Sequence, residues 1–364
     1  MKKLRLFLVG GFLGSGKTTA IQQAAIYLQR NKRKVGVITN DQGTDQVDTQ
    51  FIRGHHIPSE QVSDGCFCCN YNDLEKSVES LKLNERPEII FAESVGSCAD
   101  LAATVINPLL SFNPDEYQIV LSVFADIRLL IRFLQNEKDI FYDNVNYIYE
   151  KQLEEADIIV VNKTDLLTAQ QLTKAKLLIE AACGEKIILY QNSYSSENIE
   201  RWISLMCYEF KNDAARPTLE IDYDIYGAGE AELAWLDEEI GIVSENNEAV
   251  AAGCLLIRKI YDRIVSLGHP IGHLKFLMDN GQKQQKISYT TLAGTDIPEL
   301  ALAETGRVII LINARVQVLP DLLEELVEEA IHETELTTRC KIIEQKLSAF
   351  RPGYPRPTHR IAET

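Results

Sequence analysis

One stretch near the amino terminus limits the folds open to this chain more than any other. Gly11-Phe12-Leu13-Gly14-Ser15-Gly16-Lys17-Thr18 fits G-x-x-x-x-G-K-[ST], a loop that needs a buried strand before it and a helix after it. Residues 4–9 supply a continuous apolar run and residues 18–29 a helical pattern. Gly11, Gly14 and Gly16 let the backbone turn its N–H groups, Ser15's among them, inward on a polyphosphate, and the helix N-terminus adds favourable potential. Lys17 would reach the β- and γ-phosphates. The Thr18 hydroxyl would hold Mg²⁺, with Thr19 beside it. A dinucleotide-binding turn would not call for Lys17-Thr18, so the expected ligand is a nucleoside triphosphate.

Downstream, apolar runs at residues 34–40, 87–92, 117–124, 157–161 and 186–190 alternate with helical patterns, notably 72–83, 127–136 and 168–182. Continuous apolar strands alternating with helices predict an α/β fold, a mostly parallel sheet covered on both faces. Its chemistry is expected at the strand C-termini. A polar break at 211–217 marks the expected end of a first domain, residues 1–211. Beyond it, the pattern β-α-β-β-β-α predicts a smaller α+β domain over 218–340. Asn280-Gly281 is placed to make the tight turn of a hairpin. Residues 341–364 read as a tail, and its Pro- and Arg-rich stretch over 351–360 is expected to be mobile.

At 364 residues the chain can support two cores. A formal net charge of −16 argues against a nucleic-acid or anionic-membrane partner. No stretch approaches the ~20 apolar residues of a membrane span. The apolar start runs straight into the phosphate loop, so cleavage as a signal peptide would destroy the site. Eight cysteines without a secretion signal point to reduced thiols and metal chemistry, with the cytoplasm as the expected compartment.

Asn162-Lys163-Thr164-Asp165 follows an apolar strand directly. A carboxylate there, Asp165, can accept from both N1–H and the exocyclic amino group of guanine, a donor pair adenine lacks. The Lys163 stem can cover the base plane, and Asn162 can bond the base edge and brace the loop, which selects GTP over ATP. Glu93-Ser94-Val95-Gly96 ends another strand. Glu93 is expected to hold the magnesium's water shell or polarise the attacking water, and Gly96 to let the backbone approach the γ-phosphate. Asp41, at the end of the second strand, is the first candidate to orient that water, with Asp45 and Asp48 behind it.

Cys66-Phe67-Cys68-Cys69 places three thiols within four residues of a polar loop, where they can converge on one soft cation. Adjacent Cys68 and Cys69 cannot both face a metal from a regular strand, so an irregular turn is required. A tetrahedral ion needs a fourth ligand: water, a second chain in a homodimer, His55 or His56. Cys98, Cys183, Cys207, Cys254 and Cys340 stand alone in the sequence and read as packing residues.

Together and in this order, G-x-x-x-x-G-K-T, C-x-C-C, E-x-x-G and N-K-x-D resemble the signatures of the CobW-like family of P-loop GTPases, relatives of the nickel chaperones of hydrogenase and urease maturation. The resemblance covers residues 1–211, and 307–331 resembles that family's final strand and helix. It implies a GTP-dependent metallochaperone or metal-insertion factor with zinc or cobalt at the thiols and low intrinsic GTPase activity. Its partner would be a client metalloprotein or a cofactor-biosynthesis enzyme, in some members that of cobalamin. The chain departs from the family at Asn40-Asp41-Gln42-Gly43, where Asn-Glu-Phe-Gly is usual, and at Ile271-Gly272-His273, where Arg-Lys-Gly is typical. It also lacks a His-rich segment. Two other expectations fit the same motifs: a GTPase gating a cofactor-loaded enzyme, such as a corrinoid protein, with structural thiols, and a metal-buffering or sensing module.

Overall fold

The computed structural model describes residues 3–40, 47–63, 65–137, 140–210, 214–292 and 301–362. They fall into two compact units, one of residues 1–42, 55–226 and 355–364, the other of 43–54 and 227–354. The units part between Tyr226 and Gly227, later than the polar break at 211–217.

In chain order the elements to the end of the first unit are β1 (Leu4–Gly11), α1 (Lys17–Arg30), β2 (Val35–Asn40), α2 (Val47–Arg53), β3 (Ser59–Val62), α3 (Tyr71–Asn84), β4 (Ile89–Glu93) and α4 (Asn107–Phe112). There follow β5 (Tyr117–Asp126), α5 (Ile127–Leu134), α6 (Asp143–Glu155), β6 (Ile158–Asn162), α7 (Ala169–Cys183), β7 (Ile187–Tyr190), α8 (Ser196–Ser204) and α9 (Tyr223–Ala231). Seven strands form one parallel sheet in the order β3-β2-β4-β1-β5-β6-β7. The expected α/β architecture is therefore present. β1, β2, β4 and β6 are buried almost throughout, as strands covered on both faces must be. Trp202 of α8 is wholly buried against Phe91 and Phe124 and donates its indole N–H to Ser122 Oγ at 3.0 Å. Because the strands are parallel, the ends of β1, β2, β4 and β6 open at one edge. There the phosphate loop, Asn40, Glu93 and Asn162 sit side by side.

The second unit contains β8 (Leu233–Val243), α10 (Ala249–Ser266), β9 (Ile271–Asp279), β10 (Gln284–Tyr289), β11 (Arg307–Gln317), α11 (Pro320–Thr338) and β12 (Lys341–Phe350). Its five-stranded antiparallel sheet runs β10-β9-β11-β8-β12, with α10 and α11 packed on it through an apolar core. Ile257, Ile260 and Ile264 of α10 and Leu323, Val327 and Ala330 of α11 lie in that core. The expected β-α-β-β-β-α series is present and carries one further strand, β12, inside what reads as a tail.

The short helix α2 comes from sequence that belongs to the first domain by position, yet it is part of the second unit. The N–H of Val47 donates to Asn313 Oδ1 at 2.8 Å, and Asp48 is held by Lys275 at 2.5 Å and Lys286 at 2.6 Å. Burial alone would raise the Asp48 carboxyl, but the two ammonium groups hold it well below the usual carboxylate range. Asp48 is thus engaged by two lysines of the second unit. Asp41 and Asp45 lie outside the described residues.

Candidate nucleotide and metal site

β1 delivers the phosphate loop and α1 leaves it. Gly16 takes φ +96°, and a Cβ there would stand 2.4 Å from the Asn162 side-chain nitrogen, so only glycine fits. That nitrogen donates to the Ser15 carbonyl at 2.9 Å, and Ser193 Oγ donates to Asn162 Oδ1 at 2.9 Å. Asn162 therefore braces the phosphate loop from β6. Lys17 is buried, and its ammonium donates to the carbonyls of Gly11 at 2.6 Å and Phe12 at 3.2 Å. Ser15 Oγ is buried and has no hydrogen-bond partner among the described residues, a donor left for an oxyanion.

Thr18 Oγ1 donates to Glu93 Oε1 at 2.8 Å, with both side chains buried. A hydroxyl and a carboxylate converging at a phosphate loop are the hard oxygen donors that magnesium prefers, so the residues fit that ion. Thr19 is half-buried on the first turn of α1. The close approach that requires glycine at Gly96 is to the phosphate loop itself, because a Cβ would lie 2.5 Å from Leu13 Cδ2. Lys163 sits at φ +62°, and its ammonium lies 2.9 Å from Asp126 Oδ2 at the end of β5. Burial raises the Asp126 carboxyl, but the Arg128 and Lys163 cations outweigh it and leave it below its ordinary value. Asp165 is exposed one turn on, free to meet a base edge. Asp126 and Ser193, which steady Lys163 and Asn162, carry no motif and emerge only from the fold.

The three thiols gather as expected. Cys66, Cys68 and Cys69 place their sulfurs within 4.8 Å of one another, and they make the one metal-competent group of this kind among the described residues. The pair distances are 2.7 Å for Cys66–Cys68, 3.4 Å for Cys66–Cys69 and 3.8 Å for Cys68–Cys69. A tetrahedral zinc with bonds of about 2.3 Å sets its sulfurs roughly 3.8 Å apart, so two pairs are near that spacing and the first must open. The loop is the irregular turn that adjacent ligands need, with the N–H groups of Cys69 and Asn70 both donating to the Cys66 carbonyl. Asn40, the last residue of β2, pins it: its Oδ1 accepts from the Phe67 N–H at 2.9 Å and its Nδ2 donates to the Gly65 carbonyl at 2.7 Å.

Hydrogen bonds from Cys68, Cys69 and Cys98 hold the Cys66 thiol well below its usual range, against its burial. The bond to Cys66 pushes Cys68 well up and Cys69 up to about 11. Thiols that ligate a metal do so as thiolates, so binding here would release their protons. His55 and His56 are exposed and outside this cluster, and Gln22 Nε2 lies 2.9 Å from His55 Nδ1. Cys98, which reads as a packing residue, is wholly buried against the thiols of Cys66 and Cys68.

The tail expected to be mobile lies on the thiol loop. Thr358 donates its N–H to the Cys68 carbonyl at 2.8 Å and its hydroxyl to the Cys69 carbonyl at 2.7 Å, and the Arg356 N–H reaches the Cys69 sulfur at 3.3 Å. His359 packs edge-on between Tyr71 and Phe112, and Arg360 pairs with Asp100 at 2.7 Å. These bonds hold a stretch whose composition by itself specifies no structure.

Residues 5–189, just over half of the chain, match the family described as CobW/HypB/UreG, nucleotide-binding domain. The chain belongs to the CobW/HypB/UreG family. It is a P-loop GTPase of that family. It is 25% identical over 287 residues to a Sinorhizobium protein named zinc chaperone CobW, a match covering 67% of this chain and 79% of that one. It is 28% identical over 176 residues to Escherichia coli zinc chaperone YjiA, covering 46% of this chain and 51% of the relative. The zinc-regulated GTPase metalloprotein activator 1 of Schizosaccharomyces pombe is 27% identical over 194 residues, covering 50% and 44%. The matches to the last two span about half the length of those relatives or less. No helix among the described residues is long and apolar enough to cross a membrane.

Proposed function

We propose that this protein is a GTP-dependent zinc chaperone that loads the ion at Cys66, Cys68 and Cys69 and passes it to a client protein according to its nucleotide state. Lys17, the phosphate-loop amides, Thr19 and Gly96 would surround the phosphates, and Asp165 with Lys163 would select guanine. Thr18 and Glu93 would hold magnesium, which neutralises charge developing between the β- and γ-phosphates. Asp41 is our candidate to orient the attacking water. Three thiolates favour zinc over cobalt on donor chemistry, with cobalt the runner-up.

The observation that carries this reading is the side chain of Asn40. It ends the strand that leads into residues 41–46 and also fixes the thiol loop through Phe67 and Gly65. A displacement at the end of β2 would thereby be passed to the metal ligands, which is the linkage a nucleotide-controlled chaperone needs. The test is anaerobic zinc competition against a calibrated chelator, for the wild type and a Cys66/Cys68/Cys69→Ser variant. One tightly bound equivalent, lost in the variant, is expected. Equal binding by both proteins would refute the assignment.

A further inference from the structure

Cys98 lies in the loop after β4, five residues beyond Glu93. Its thiol is fully buried and in hydrogen-bond contact with the thiols of both Cys66 and Cys68. Its backbone is fixed on two sides. The Cys98 N–H donates to the Val95 carbonyl at 3.0 Å, and its carbonyl accepts from Gln152 Nε2 at 2.8 Å. Gln152, itself buried in α6, also donates to the Gly96 carbonyl at 3.0 Å. This buried thiol touches two of the three metal-competent thiols, although its sulfur lies outside the group whose atoms are all within 4.8 Å of one another and must move to join them. Zinc in a thiolate site takes four ligands, and the three of the Cys66 loop leave one position to fill.

We propose that Cys98 is the fourth sulfur ligand, closing a four-thiolate site for a soft divalent cation. This rests on the metal-binding reading of Cys66, Cys68 and Cys69 given above. The ion enters from the side of Cys69, which is only partly buried, and Cys98 meets it from the interior. Each thiol that ligates gives up its proton to solvent as the metal–sulfur bond forms. The consequence for control follows from where Cys98 sits. It shares a loop with Glu93, bonded to Thr18, and with Gly96, packed on Leu13 of the phosphate loop. A shift of that loop with the nucleotide would take Cys98 toward or away from the ion and change its coordination from four sulfurs to three.

The test is zinc X-ray absorption on the wild-type chain loaded with one equivalent of zinc, paired with cobalt(II) absorption spectra of the wild type, Cys98→Ser and Cys68→Ser. Four sulfur scatterers at about 2.3 Å are expected. Cys98→Ser should lose roughly a quarter of the sulfur-to-cobalt charge-transfer intensity, one thiolate in four. Three sulfurs with one lighter atom in the wild type would overturn the proposal, and that readout does not depend on whether a variant folds. Four sulfurs retained in Cys98→Ser would overturn it as well, because the fourth would then come from elsewhere. If neither Cys98→Ser nor Cys68→Ser alters the cobalt spectrum, the three-thiol reading fails along with this one.

Discussion

Asp165 offers its carboxylate to solvent just after a Lys163 fixed by Asp126, so its contribution to binding can be isolated. If Asp165 binds guanine as proposed, Asp165→Ala should cost roughly 1.5–3 kcal/mol in GTP affinity, about tenfold to 150-fold, with ATP binding unchanged. Calorimetric titration of both nucleotides checks this, and a parallel loss of ATP affinity would show that the residue only supports the loop. Glu155 poses a different problem. It is buried in α6, accepts from the Ala102 N–H at 3.2 Å, and has its pKa pushed up to about 8 by burial, with Asp100 adding to the effect. The folded state therefore keeps a proton that the unfolded chain, with an ordinary carboxyl, gives up above about 4.5. The stability this provides is complete below pH 4.5 and is lost as pH rises through about 8. Glu155→Gln should be close to wild type at pH 5 and more stable at pH 8, by on the order of a few kcal/mol. Urea unfolding at both pH values decides it, and a gap independent of pH would contradict the ionisation.

The tail and α2 are the elements whose places depend most on distant partners. A chain ending at Gly353 loses the bonds from Arg356, Thr358 and Arg360 to the thiol loop and Asp100. It should release zinc to a chelator roughly tenfold faster, because local opening of the loop becomes cheaper. Stopped-flow release at matched nucleotide reads this directly, and an unchanged rate would make the tail a bystander. Asp48→Asn leaves Lys275 and Lys286 without their shared counter-charge and should destabilise the second unit by about 3–5 kcal/mol, the usual cost of breaking a buried ion pair from one side. Thermal or urea unfolding would show it, and a cost below 1 kcal/mol would mean the lysines find solvent.

These elements also show what could be read from sequence. The phosphate loop, the strand ends at Glu93 and Asn162 and the three clustered thiols are legible because their chemistry is written in local spacing. β3 is only Ser-Glu-Gln-Val, an edge strand with no apolar run to mark it, and β12 hides in a charged stretch. The bond from Arg356 to Cys69 spans 287 positions, and no local pattern encodes it. Cys98 reads as isolated for the same reason: its neighbours in space are some thirty residues upstream.

At the scale of the whole molecule, the phosphate loop and the thiol loop lie at one parallel sheet edge, and the proposed function requires shared residues to couple them. Asn40 joins the end of β2 to the thiol loop, and the loop of Glu93 and Gly96 carries Cys98 to the same sulfurs. Coupling of this kind must be reciprocal: whatever factor GTP adds to zinc affinity, zinc must add to GTP affinity. The most direct measurement is the zinc affinity of the wild-type chain, by anaerobic chelator competition, with Mg²⁺ and either GDP or a non-hydrolysable GTP analogue. The account predicts tighter binding with the analogue, by 5-fold to 150-fold, the span of roughly 1–3 kcal/mol of coupling. Equal affinity in the two nucleotide states would contradict it.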